Sequence, residues 1–162
     1  MADAPPDAAV VLTQVALPEA LAAVCAVQRL VVDVVPTPIG CLAVWRAGSG
    51  AGPGDGDGPA AVARSVSSLL AGPPVLLLEQ RDGQITATRW SGGAATGTVA
   101  PGLALDGAPA VVEELLLGRT TAAEQPGVTT SAGMSRWRAT RTLAAVTRAT
   151  RRAARRAADR PD

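Results

Sequence analysis

The clearest structural signal in the chain is LVVDVVPTPIGCLAVWR, residues 30–46. Two largely apolar runs, 31–35 with four valines and 41–45 with one, flank a short segment that holds two prolines and Gly40. Valine favours the pleated, half-buried surface of a strand, whereas proline and glycine favour turns. This pattern predicts an antiparallel β-hairpin.

The two faces of this hairpin differ in chemistry. Side chains alternate between the faces of a strand, so a turn centred on Pro38 divides them into two sets. One face is aliphatic and is expected to pack on helices. The other face combines a carboxylate, a thiol and an indole, a mixture typical of a surface that is wetted or covered by a partner. We predict that this second face binds a partner through Val31, Asp33, Val35, Cys41 and Trp45.

Further elements are predicted on both sides of the hairpin. A strand at 9–16 and a helix that begins at Pro18 precede it, because proline suits the first turn of a helix. A helix at 60–72 follows, and then a second hairpin that turns at Asp82-Gly83. The order β-α-β-β-α-β is the ferredoxin-like plan. We therefore predict an α+β fold, with an antiparallel sheet, one extra edge strand, helices on one face and the other face open.

Composition divides the chain into four parts. Residues 1–8 are predicted to be a disordered leader, and residues 9–118 the α+β domain, which closes with a short packed helix. A Gly/Pro-rich flexible loop at 47–59 interrupts the domain. Residues 119–134 are predicted to be a linker, and residues 135–162, rich in Ala and Arg, a basic helical tail.

The residue types that are missing restrict the chemistry. The chain has no His, Lys or Tyr, so a Ser or Cys nucleophile lacks its usual base and there is no phenolic proton donor. We therefore predict that the protein is not an enzyme. Cys25 and Cys41 cannot form a four-ligand zinc site by themselves, and no glycine-rich segment matches a phosphate-binding loop. No cofactor is predicted, and the further absence of Asn and Phe indicates a GC-rich, bacterial genome.

Charge is distributed unevenly along the chain. Residues 1–118 hold five Arg and eleven acidic residues, a net charge of −6, whereas residues 119–162 hold ten Arg and three acidic residues, a net charge of +7. On a helix, the basic and aromatic residues of the tail gather on one side. This side is predicted to contact an anionic partner such as nucleic acid or lipid, or an acidic protein surface, although the pattern also fits a solvated charge run. Its residues are Trp137, Arg141, Arg148, Arg151, Arg152 and Arg155.

These observations favour a non-enzymatic interaction or assembly module. We predict that it binds a protein partner or itself, as a homo-oligomer, through the open sheet face, and that the tail makes a second contact. A regulatory domain that binds a small molecule and a nucleic-acid-associated protein that uses the tail are the alternatives. The residues before Val10 carry no positive charge, so a secretory signal is not expected. The most apolar window, 15–45, is broken by charges and prolines, so no membrane span is expected and a cytoplasmic location is predicted.

Overall fold

The computed structural model describes residues 7–46, 58–70 and 72–159 of the 162-residue chain. In this part of the chain seven strands form one antiparallel sheet, in the order β6-β5-β4-β1-β3-β2-β7. The strands are β1 (Ala8–Leu12), β2 (Asp33–Val35), β3 (Leu42–Arg46), β4 (Val75–Arg81), β5 (Gln84–Ser91), β6 (Ala94–Val99) and β7 (Thr129–Thr130). The helices are α1 (Pro18–Val27), α2 (Pro59–Leu69), α3 (Pro101–Asp106), α4 (Ala110–Leu116) and α5 (Arg136–Ala158), with a 3₁₀ helix at Ala122–Glu124.

β1 lies at the centre of the sheet because both of its faces are apolar. It pairs with β3 and β4, so that Val10 lies opposite Val44 and Leu78. Ala9 and Val11 face one side of the sheet and Val10 faces the other, and all three side chains are buried. A short, continuous apolar run is the pattern expected of a strand that is buried on both faces.

The helices α1 and α2 cover one face of the sheet. α1 begins at Pro18, as predicted, and ends before Arg29, which takes a left-handed φ of 58°. Because α1 lies between the sheet and α5, all of residues 20–26 are buried. α2 buries Val62 and Val66 in the same cluster.

The opposite face of the sheet is also covered, which corrects the expectation of an open face. α3 and α4 lie on this side. The short packed helix that was predicted is present as α4. Its apolar side can be recognised in the sequence, but the sequence does not indicate which face of the sheet that side packs on. The buried cluster on this face contains Val10, Val35, Leu42, Val44, Leu78, Ala87, Ala104, Val112, Leu115, Leu116 and Ala122.

The sheet has two strands more than the sequence indicated. β6 lies in a segment of Gly, Ala and Thr for which no strand was predicted, and β7 has only two residues within the segment 119–134 that was predicted to be a linker. Backbone pairing with a neighbouring strand holds both of them in the sheet. The α+β class, the antiparallel sheet and the C-terminal helix are confirmed, whereas a sheet of five strands is wrong. The predicted leader lies mostly outside the described residues, and so does most of the predicted flexible loop.

Candidate functional site

The first hairpin, formed by β2 and β3, turns between Pro38 and Ile39 rather than at Pro38. The two residues that flank this pair exchange two backbone hydrogen bonds, each with an N–O distance of 3.2 Å. Strand pairing follows this centre, so Asp33 lies opposite Val44 instead of Ala43. A shift of one residue moves the side chains of a strand to the other face of the sheet. The predicted grouping of the hairpin side chains is therefore wrong.

The five residues of the predicted partner-binding face consequently lie in different places. Cys41 and Trp45 expose 1% and 7% of their surface and lie beneath α1 and α2. Val35 is buried on the opposite face, beneath α4. Asp33, two residues before it, is half-buried on that same side, and Val31 is half-buried just before β2 begins. No open face of the described sheet joins these residues, although their role in partner binding stays a prediction.

Both cysteine thiols are buried and protonated at neutral pH. Burial raises the pKa of Cys25 from 9.0 to about 12. Burial also raises the pKa of Cys41, and the negative charge of Glu19 adds to this effect. Only a thiolate acts as a nucleophile or a metal ligand, so both free thiols are inert. The described residues contain no group of three His, Cys, Asp or Glu side chains that could hold a metal ion.

Two of the three tryptophans belong to the core. Trp45 and Trp90 are both in the cluster beneath α1 and α2, and the guanidinium of Arg64 lies 6.0 Å from the ring centroid of Trp90. Neither indole N–H has a hydrogen-bond acceptor among the described residues. Because both rings are buried, neither offers a stacking surface to a ligand.

Five chain segments without charge meet at one end of the sheet. β1 ends there, β3 begins there and β4 begins there, because Leu12 pairs with both Leu42 and Leu76. The chain as a whole is 18% charged, so these segments are depleted in charge, and the side chain of Arg64, over Trp90 and beside Gly93, lies at their edge. We call this surface the apolar end; its described residues are 13–18, 36–41, 69–70, 72–74, 91–94 and 125–128.

Large apolar side chains are exposed at the apolar end. Leu17, Ile39 and Leu69 expose 48%, 51% and 49% of their surface. A groove of about 240 Å³ opens between the segments that contain Val15 and Leu70. Exposed apolar surface that lacks charge is typical of a protein–protein contact. Sequence reasoning missed this surface, because its segments are far apart in the chain until the strand order brings them together.

The opposite end of the sheet is charged. The backbone N–H of Asp82 donates a hydrogen bond to Oδ2 of Asp7 at 3.2 Å, where β4 turns into β5. Arg81 forms an ion pair with Glu79 at an N–O distance of 3.3 Å. A groove of about 420 Å³ here is lined by Asp7, Gln80 and the end of α4. The two ends of the body therefore present different chemistry to a partner.

The first half of α5 is anchored on α1. Ser135 caps the helix, because its hydroxyl accepts a hydrogen bond from the backbone N–H of Arg138 at 3.1 Å. Ala139 is fully buried and packs against Ala23 and Ala26. These small side chains let the two helices approach closely, since the separation of packed helices depends on the side chains at the contact.

The second half of α5 is exposed on every side. Val146 is the last half-buried residue, and each residue from 147 to 158 is exposed. We call residues 147–158 the distal arm. The whole of α5 contains eight Arg and no acidic residue. At 100° per residue, the side chains of Arg148, Arg152 and Arg155 lie on the side of α5 opposite Ala139, which faces α1.

An exposed tryptophan lies near the start of α5. Trp137 exposes 68% of its surface, and the guanidinium of Arg141 lies 4.6 Å from its ring centroid. This distance is that of a cation–π contact. Trp137 is on the same side of α5 as Arg148, Arg152 and Arg155. The structure thus brings the six predicted tail residues together on one helix, and their binding role stays a prediction.

Comparison with known proteins gives no further guidance. No protein-family model, no curated protein and no solved structure matches the chain. Among the described residues, no helix is both long enough and apolar enough to cross a membrane.

Proposed function

We propose that the chain is a non-enzymatic assembly module that binds a second copy of itself through the apolar end. The charge distribution is the main support. Residues 1–118 carry a net charge of −6, so two copies repel each other over most of the body. At the apolar end two copies can meet without bringing like charges together.

The side chains of the apolar end supply a driving force for this contact. Leu17, Ile39 and Leu69 are each about half exposed, and burial of apolar surface favours association. Protein interfaces are apolar at the centre and polar at the rim. Glu19 and Glu124 adjoin the uncharged segments in the sequence and supply such a rim. In this proposal the contact between two copies is made by the apolar end and not by the sheet face, which is covered by helices.

We also propose that the first four strands follow the ferredoxin-like plan. Within the sheet these strands have the order β4-β1-β3-β2. β3 separates β1 from β2, and β1 separates β3 from β4, as in two interleaved split βαβ units. β5 and β6 then extend one edge of this unit and β7 extends the other. A bacterial source and a cytoplasmic location stay proposals from the sequence.

The experiment is size-exclusion chromatography with light scattering on the full chain, at low and high salt. We expect a dimer, of twice 16.2 kDa, that persists at high salt because apolar contacts are not screened. Ile39→Glu and Leu69→Glu each place a charge in the interface and should give monomers. Leu103→Glu is the matched control, because Leu103 is 73% exposed but lies in α3, outside the apolar end.

Circular dichroism of all three variants establishes that they fold. A monomeric wild-type chain at both salt concentrations would refute self-assembly. A dimer that dissociates only in salt would place the contact on charged surfaces, such as the tail of one copy against the acidic body of the other. Equal behaviour of Ile39→Glu and Leu103→Glu would exclude the apolar end as the interface.

A further inference from the structure

We propose that α5 is a nucleic-acid-binding helix, in which the distal arm contacts phosphates and Trp137 stacks on a base. This activity is separate from self-assembly, because α5 is anchored on α1 and its basic side faces away from the body. The ligand class is a phosphate polyanion with exposed bases.

The charge of α5 fits a polyanion that extends along the helix. Arg141, Arg148, Arg152 and Arg155 follow at intervals of seven, four and three residues, which places them along one stripe. With a rise of about 1.5 Å per residue, the stripe is about 21 Å long. A DNA duplex presents one negative charge per about 1.7 Å of its axis. The stripe therefore runs past about twelve phosphates, enough for each guanidinium to find one.

The distal arm lacks the large apolar side chains with which a helix binds in the groove of a protein. Helices that dock into protein grooves do so with large apolar side chains at helical spacing. In the distal arm every residue that is not Arg is Ala or Thr. Such a helix has little apolar surface to bury against a protein, whereas its guanidinium groups suit phosphate oxygens. These features favour nucleic acid over an acidic protein surface.

The start of α5 adds a stacking surface to this charge. Trp137 is 68% exposed and carries the guanidinium of Arg141 at 4.6 Å from its ring centroid. Bases stack on aromatic rings without sequence preference, and a neighbouring Arg adds to the contact. Because unpaired bases are free to stack, Trp137 should contribute more to single-stranded than to duplex binding.

The test is fluorescence anisotropy with the full chain and labelled DNA, as a 20-mer single strand and as a 20-base-pair duplex, over a range of NaCl concentrations. The wild-type chain should bind both, with an affinity that falls as salt rises because bound counterions are released. The triple variant R148Q/R152Q/R155Q should lower the salt slope by about three and weaken binding at least about tenfold at 100 mM salt. Trp137→Leu should weaken single-strand binding about tenfold and leave duplex binding nearly unchanged.

The matched control removes the same charge from the rest of the chain. R64Q/R89Q/R119Q also deletes three positive charges, but none of these residues lies on α5, so its salt slope should stay near the wild-type value. Equal loss of binding in the two triple variants would mean that net charge alone is responsible, which overturns the proposal. Absence of DNA binding at 50 mM salt would also overturn the proposal. Tighter binding to polyglutamate of the same charge than to DNA would overturn it as well.

Discussion

The stability of this protein should fall as the pH rises above 9, because of the buried thiol of Cys25. Burial raises the pKa of this thiol from 9.0 to about 12. In the unfolded chain the thiol is in water and ionises near pH 9. Between these two values the unfolded state has lost a proton that the folded state keeps, so rising pH favours unfolding. Below pH 9 both states hold the proton, and the full stability is present.

The magnitude follows from the difference between the two pKa values. At pH 10, one unit above the ordinary value, Cys25 should lower the free energy of unfolding by about 1.4 kcal/mol, and at pH 11 by about 2.7 kcal/mol. The pKa of Cys41 is also raised, by burial and by the charge of Glu19, so its effect has the same sign. The chain has no Lys, His or Tyr. The two thiols are therefore the only side chains whose ordinary pKa lies between pH 8 and pH 11.

Urea unfolding followed by circular dichroism, in the presence of a reductant at pH 8, 9, 10 and 11, measures this effect. Cys25→Ala leaves a small cavity and should be less stable than the wild type at pH 8, where the thiol is protonated in both the folded and the unfolded state, so the pH slope is the quantity to compare. That slope should become shallower in Cys25→Ala and vanish in the double variant with Cys41→Ala. A wild-type stability that stays constant from pH 8 to pH 11 would refute the reasoning, as would an unchanged slope in Cys25→Ala.

Two further substitutions test the packing of the fold, each against a control of the same type in urea unfolding. Ser131→Ala should lower the free energy of unfolding by about 2 kcal/mol, because the buried backbone N–H of Val32, which lies 2.9 Å from the Ser131 hydroxyl, loses its acceptor. The control Ser68→Ala is at an exposed position and should change the free energy of unfolding by less than about 0.5 kcal/mol. Equal losses in the two variants would contradict the prediction. Gly40→Ala should lower the free energy of unfolding by at least about 2 kcal/mol. Gly40 has a φ of +138°, which favours glycine, and a Cβ at this position would collide with the backbone of the β1–α1 loop. Gly102→Ala, in α3 where a Cβ meets nothing, should be neutral or stabilising, and a similar loss at both glycines would show that Gly40 is not constrained.

Local turn chemistry explains why one hairpin register could be predicted and the other could not. In the second hairpin both Asp82 and Gly83 take positive φ values, 49° and 79°, and the dipeptide itself favours this turn. The first hairpin has two prolines and a glycine close together, a combination that allows more than one centre. At the observed centre, Gly40 lies so close to the β1–α1 loop that a Cβ there would collide with it, and such a long-range contact leaves no mark in the local sequence.

The covered sheet face was missed for a related reason. The apolar side of α4 is visible in the sequence, but a helix with such a side can pack on either face of a sheet. β6 and β7 contain small or polar residues and no apolar alternation, so nothing local distinguishes them from loops. Pairing with β5 and β2 makes them strands. The tail differs, because its helix depends on local propensity and on the absence of Gly and Pro, and it was predicted within one residue at its start.

The apolar end shows how topology turns scattered composition into a surface. In an antiparallel sheet the chain reverses direction at each neighbouring strand, so its connections are sorted into two ends. Segments as distant in sequence as 13–18 and 125–128 thereby reach the same end, while Asp7 and the charged turn of the second hairpin reach the other. The absence of charge in each segment is unremarkable by itself, since short uncharged stretches are common in this chain. Only their convergence on one end makes one uncharged surface of them, and for that reason the assembly proposal depends on the strand order together with the charge distribution, and not on any single motif.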